Sequence, residues 1–99
     1  MGAAISERSI VTLAKHQVAA ELADEFVVLD VNAGVYYSLE NVGARIWSLI
    51  QEPRSVRDIR DHLVAEFDVD PQRCERDLQA FLQSLAEKGL LHVTDEAAA

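Results

Sequence analysis

The spacing of apolar residues changes period once along this chain, and that change limits the folds open to it. Up to about residue 40 the pattern is strand-like, and beyond it apolar residues recur every three or four positions. Strands followed by helices point to a small α+β domain. The strongest local signal is Phe26-Val27-Val28-Leu29-Asp30-Val31, rich in β-branched and aromatic residues, then Asn32-Ala33-Gly34, then Val35-Tyr36-Tyr37-Ser38-Leu39. This reads as a hairpin whose glycine is free to take positive φ. Upstream, Gln17 to Leu22 supplies a third strand, turned by Ala23-Asp24-Glu25. On the strand ending at Leu39, the side chains of Val35, Tyr37 and Leu39 share one face, expected in the core, and Tyr36 and Ser38 share the other.

Three helices follow. Asn41 is placed to cap the first, with Val42, Ile46, Leu49 and Ile50 on one stripe, Gly43 and Trp47 beside it, and Glu52-Pro53 as its end. Ser55 caps the second, whose stripe is Val56, Ile59, Leu63, Val64 and Phe67, with Arg57 and Asp61 spaced to pair on the wet side. Asp70-Pro71 opens the third, which runs through Cys74, Leu78, Phe81, Leu82 and Leu85 to Lys88, where Gly89 stops it. Leu90 to Val93 is expected to tuck back onto the core. The expected domain spans 17–93, with 1–16 a partly ordered extension and 94–99 a frayed tail.

With 99 residues the chain has material for one modest core, which leaves little room for an elaborate buried active site. Seventeen acidic against nine basic side chains give a net charge of −8, and both halves are acidic. Phosphate neutralisation dominates nucleic-acid affinity, so this balance argues against a nucleic-acid partner and favours cationic peptides or protein surfaces. His16, His62 and His92 are too scattered for a zinc site, and Cys74, the single cysteine, has no neighbouring base pattern to activate it. No glycine-rich phosphate loop is present, and the carboxylates sit mostly on polar helix faces. No metal, cofactor or catalysis is expected.

The first residues lack the features of a secretory signal, and no apolar run reaches membrane-spanning length, so a cytoplasmic protein is expected. Met1-Gly2 with Ser6 fits the spacing of a myristoylation pattern, but no polybasic stretch follows to add a second membrane signal.

If Val35 to Leu39 is a terminal strand, its outward N–H and C=O groups are open to an incoming peptide, the β-augmentation mode of recognition. A solvated edge and a homodimer contact are the plain alternatives. Three helices and a small sheet also describe winged-helix DNA readers, but the third helix sets Arg73, Arg76 and Lys88 against Glu75, Asp77 and Glu87. An accessory subunit docking a larger enzyme through Trp47 and the strand edge is a third reading.

The run from Phe26 to Leu39, the segment Asn41-Val42-Gly43-Ala44-Arg45-Ile46-Trp47, the Asp68-Val69-Asp70-Pro71 break and Leu85-Ala86-Glu87-Lys88-Gly89-Leu90-Leu91 resemble the PqqD family over roughly residues 17 to 92. Tyr36-Tyr37-Ser38-Leu39 followed by Gly43-Ala44-Arg45-Ile46-Trp47 looks most like the free-standing lasso-peptide type. Coenzyme-PQQ members tend to carry a proline where this chain has Asp30-Val31-Asn32. The resemblance implies a winged-helix-like domain, a three-stranded antiparallel sheet followed by three helices. It also implies a non-catalytic adaptor that binds the leader of a ribosomally made precursor peptide and delivers it to a leader peptidase and a cyclase. A PQQ-type peptide chaperone for a radical SAM enzyme is the alternative within the family. The implied site is the strand Val35, Tyr36, Tyr37, Ser38 and Leu39 with Cys74, Asp77, Leu78 and Phe81 of the third helix. On a helical projection Phe81, Asp77 and Ser84 lie to one side of the Cys74-Leu78-Leu85 stripe and Leu82 to the other; the Phe81 side is taken as the groove wall.

Overall fold

Two hairpins in succession build the main sheet. In a computed structural model, which describes residues 5–15, 17–23 and 25–94, the strands are β1 (Ile10–Leu13), β2 (Gln17–Leu22), β3 (Glu25–Asp30), β4 (Val35–Glu40), β5 (Arg54–Ser55) and β6 (Leu91–Thr94). The helices are α1 (Val42–Leu49), α2 (Val56–Phe67) and α3 (Pro71–Glu87). The myristoylation pattern, the Asp24 of the first turn and the frayed tail beyond Thr94 fall on or run into residues outside those described.

The expected three-stranded antiparallel sheet is present in the order β2-β3-β4, and three helices follow it. Only two residues separate Leu22 from its partner Glu25, and Ala23 has φ 58, the positive value that such short hairpins require. Between β3 and β4, Gly34 takes φ 68 and its N–H donates to the Asp30 carbonyl at 2.8 Å. Asp30 is buried, and its Oδ1 accepts from the N–H groups of Asn32 and Ala33 at 3.0 and 3.1 Å, so the side chain closes the turn.

A second sheet, β5-β1-β6, was not legible in the sequence as strands. Ile10 to Leu13 pairs with Thr94 to Leu91, so the segment expected to tuck back does so as a strand beside β1. Val11 is fully buried, while Val56 N–H donates to the Ser9 carbonyl and Arg57 N–H to the Glu7 carbonyl.

The helix boundaries follow the caps. Ser55 accepts from Asp58 N–H and Asp70 from Arg73 N–H. At the end of α3, Leu90 N–H donates to the Leu85 carbonyl and Gly89 N–H to Ala86, a Schellman closure with Gly89 at φ 75. Asn41 departs from expectation: it precedes α1 but its side chain makes no cap, because its backbone, at φ 54, is spent turning the chain out of β4. Arg57 also departs. It pairs with Glu7 at 2.6 Å, and Asp61 pairs with Arg60.

Trp47, Ile50, Ile59, Leu82 and Leu90 fill the core between the two sheets and the helices. Ion pairs between helices lie over it: Arg45 with Glu66 at 2.7 Å joins α1 to α2, and Arg60 with Glu75 at 2.6 Å joins α2 to α3.

Replacing Ala23 with glycine removes the cost of a left-handed alanine and should stabilise the protein by roughly 0.5–1 kcal/mol, read as a higher melting temperature. Hydrogen bonding from Arg57 holds Glu7, and from Arg45 holds Glu66, below the ordinary carboxylate value of 4.5. Their contribution is therefore full above 4.5 and is lost as pH falls through the lower folded values. Glu7→Gln with Glu66→Gln should shallow the fall in melting temperature on acidification.

Candidate functional site

Backbone direction along β4 follows from the turns. Leu22 and Glu25 close a two-residue hairpin, which makes them a hydrogen-bonded pair, and the alternation then turns Glu25, Val27 and Leu29 toward β2. Phe26, Val28 and Asp30 point to β4, where their partners are Leu39, Tyr37 and Val35. The Gly34 to Asp30 hydrogen bond agrees with that phase. Tyr36, Ser38 and Glu40 are left with N–H and C=O groups directed away from β3. Among the described residues β4 has no second neighbour, so this edge is open.

The side chains of β4 sort largely as the sequence implies. Leu39 is buried and Tyr37 partly buried, while Tyr36 is 70% exposed and Ser38 exposed. Val35, expected inward, is 42% exposed at the first position of β4, next to the turn. Lys88 at the end of α3 places Nζ 5.8 Å from the Tyr37 ring centroid and 2.9 Å from Ser84 Oγ.

Cys74, Asp77, Leu78 and Phe81 all line one groove of about 630 Å³, on the Phe81 side of α3. Its other wall is α1, through Val42, Gly43 and Ile46, and its floor includes Leu63. The five β4 residues do not line this groove; they adjoin it through Leu39. A Cβ at Gly43 would lie 3.3 Å from Phe81 Cζ and 4.0 Å from Leu39 Cβ, so the missing side chain lets α1, α3 and β4 meet at one point.

Val42, Phe67 and Val69, also lining the groove, are 41%, 41% and 42% exposed. Sequence periodicity put Val42 and Phe67 on core stripes. Each lies at the end of its stripe, past the last turn covered by a neighbour, and that terminal position was the signal available. Arg73 reaches the same groove and approaches Asp77 at 3.9 Å, both side chains being solvated. Burial is the main cause that raises the Cys74 thiol above its ordinary 9.0, which keeps it protonated and apolar in character. Among the described residues no three His, Cys, Asp or Glu side chains are grouped to hold a metal ion.

An open strand edge leading into an apolar groove is the arrangement expected of a peptide-recognition domain. Residues 25–91 match the family described as coenzyme PQQ synthesis protein D (PqqD). The chain belongs to the PqqD family. Its fold is shared with TbiB1 in complex with the TbiA(beta) leader peptide, at 42% identity and a TM-score of 0.79, covering 82% of this chain and 94% of that one. It is similar also to a lasso peptide synthetase B1 complexed with the leader peptide, at 28% identity and 0.75, over 83% and 96% of the two chains. The PqqD truncation of Methylobacterium extorquens PqqCD, a stand-alone RiPP recognition element, superposes at 0.74 over 90% and 95%, and at 22% identity speaks for the fold alone. No curated protein matches the chain. This PqqD-family domain thus carries the sheet and the three helices that its sequence led one to expect.

The phase of β4 separates two substitutions one residue apart. Ser38→Pro removes an outward donor and should leave the thermal melt nearly unchanged while abolishing strand addition at this edge. Tyr37→Pro removes an inward ladder bond and should lower stability by about 3 kcal/mol or more. Paired circular-dichroism melts test the assignment, and equal losses would reverse it.

Proposed function

We propose that this PqqD-family domain is an adaptor for the leader segment of a ribosomally synthesised precursor peptide, in a pathway of the lasso-peptide type. The observation that carries the reading is the continuity of the open β4 edge with the groove at Leu39, Gly43 and Phe81. The bound leader in the structures that share 42% and 28% of its residues supports it.

The leader adds as an antiparallel strand beside Val35 to Leu39, taking the backbone groups of Tyr36 and Ser38. Running opposite to β4, it has its earlier residues at the Glu40 end, where Val42 and Gly43 begin α1 and the groove opens. An apolar residue before the strand segment then seats against Phe81, Cys74 and Leu78, and a basic one meets Asp77. Each ladder bond contributes about 1 kcal/mol net and a buried anchor about 2 kcal/mol, set against association costs of at least ~4 kcal/mol. Useful affinity therefore needs walls fixed before the peptide arrives. The Arg60–Glu75 pair and the Schellman closure at Gly89 fix α3 at both ends.

The domain itself performs no chemistry in this reading. It raises the local concentration of the precursor for a leader peptidase and a cyclase, in the cytoplasm. Among the described residues no helix is long and apolar enough to cross a membrane. A DNA-reading role is disfavoured, since the net charge is −8 and the first half of α3 faces the groove. The higher identity to the lasso-type chain disfavours the PQQ-type alternative.

Calorimetric titration with the synthetic leader peptide encoded beside this gene tests the reading. Phe81→Ala should weaken binding about tenfold or more, roughly 1.4 kcal/mol, and Arg57→Ala, on the far side of α2, should leave it unchanged. Equal effects of the two substitutions would remove the groove from the site.

A further inference from the structure

Among the described residues the sheet has a second open edge, β2, at the opposite end of the strand order from β4. Natural edges are usually blunted by lysine, proline or a bulge, and Gln17–Leu22 has none of these. Its only charge is Glu21. Val18 and Leu22 are 59% and 55% exposed and share one face with Ala20, on the outer side of the sheet where Leu29 and Tyr36 also lie. The hydrogen-bond phase set by the Leu22–Glu25 pair turns the N–H and C=O groups of Gln17, Ala19 and Glu21 outward.

We propose that β2 pairs with β2 of a second copy of this chain, antiparallel, about a two-fold axis at Ala20. The edge is self-complementary in that register. Ala19 and Glu21 both point their backbone outward, so each meets the other across the axis in a hydrogen-bonded pair, and Ala20 meets Ala20 in the closer, non-hydrogen-bonded pair where a small side chain fits. Val18 faces Leu22 of the other copy, covering the most exposed apolar residues of the strand. Glu21 faces alanine, so no like charges stand directly opposite. An isologous contact of this kind closes on itself and yields a six-stranded sheet, β4-β3-β2-β2-β3-β4, and no fibre. Both β4 edges remain open at its two ends. The proposal stands on β2 alone and does not depend on what β4 binds.

Sedimentation velocity of the full chain from low to high micromolar concentration tests it. A shift from 11.0 kDa toward twice that mass is expected, and because each copy carries −8, added salt should strengthen the dimer. Val18→Lys should weaken dimerisation at least about tenfold. Ala19→Pro, which removes an outward donor and spares the β3 ladder, should do the same with the melt retained. A single 11.0 kDa species at every concentration would overturn the proposal, as would a dimer that survives both substitutions or is lost instead in Ser38→Pro.

Discussion

The half-paired backbone of β4 is the constraint on which the site depends. Backbone groups that are buried must find partners, and an edge strand meets that demand on its open side only with water or with another chain. Here the sheet stops at β4 because Asn41, two residues before Gly43, turns the chain into α1 with φ 54. The helix that follows cannot continue the ladder. It lies instead against the inner face, and α3 is brought alongside by its packing on α2. The groove is therefore a product of where the sheet ends, with the α1–α3 gap as its extension.

Gly43 shows how close that arrangement is. With 3.3 Å between a notional Cβ and Phe81, even one methyl would press on the aromatic ring that forms the groove's inner corner. The ring packs against the core, lies over Gly43 and lines the groove. Leu78 and Cys74 continue the wall one and two turns earlier, and burial at Cys74 raises its thiol above the ordinary value. Where an apolar wall of fixed shape stands beside a backbone edge, a peptide-recognition domain can divide its work, the edge taking extended backbone and the wall selecting side chains.

What the sequence made legible were the features written in neighbouring residues. The hairpin around Gly34, the caps at Ser55 and Asp70, the stop at Gly89 and the helical stripes, apart from Val42 and Phe67 at their ends, depend on spacings of two to five residues and were found where expected. The second sheet was not, because β1, β5 and β6 are two to four residues long and pair across most of the chain, Ile10 with Thr94. Arg57 obeyed the same logic. Its i+4 neighbour Asp61 is the local choice, yet Glu7, brought in by β1, is the one it meets. At the groove, Val42 and Phe67 have the residue types of a core and only tertiary packing decides that they rim a cleft. On α3, Cys74, Asp77, Leu78 and Phe81 line one cavity, while Ser84, on the same side of the helical projection as Phe81, does not.

The pairing of β1 with β6 has a consequence for how such a domain travels between proteins. Ile10 and Thr94 are opposite one another in the ladder, so the path into residues 10–94 and the path out are about one strand spacing apart, ~5 Å. A unit with adjoining entrance and exit can be spliced into a loop of a larger enzyme without prising that enzyme open. Since β1 and β4 belong to different sheets, such a graft would leave the open β4 edge unencumbered.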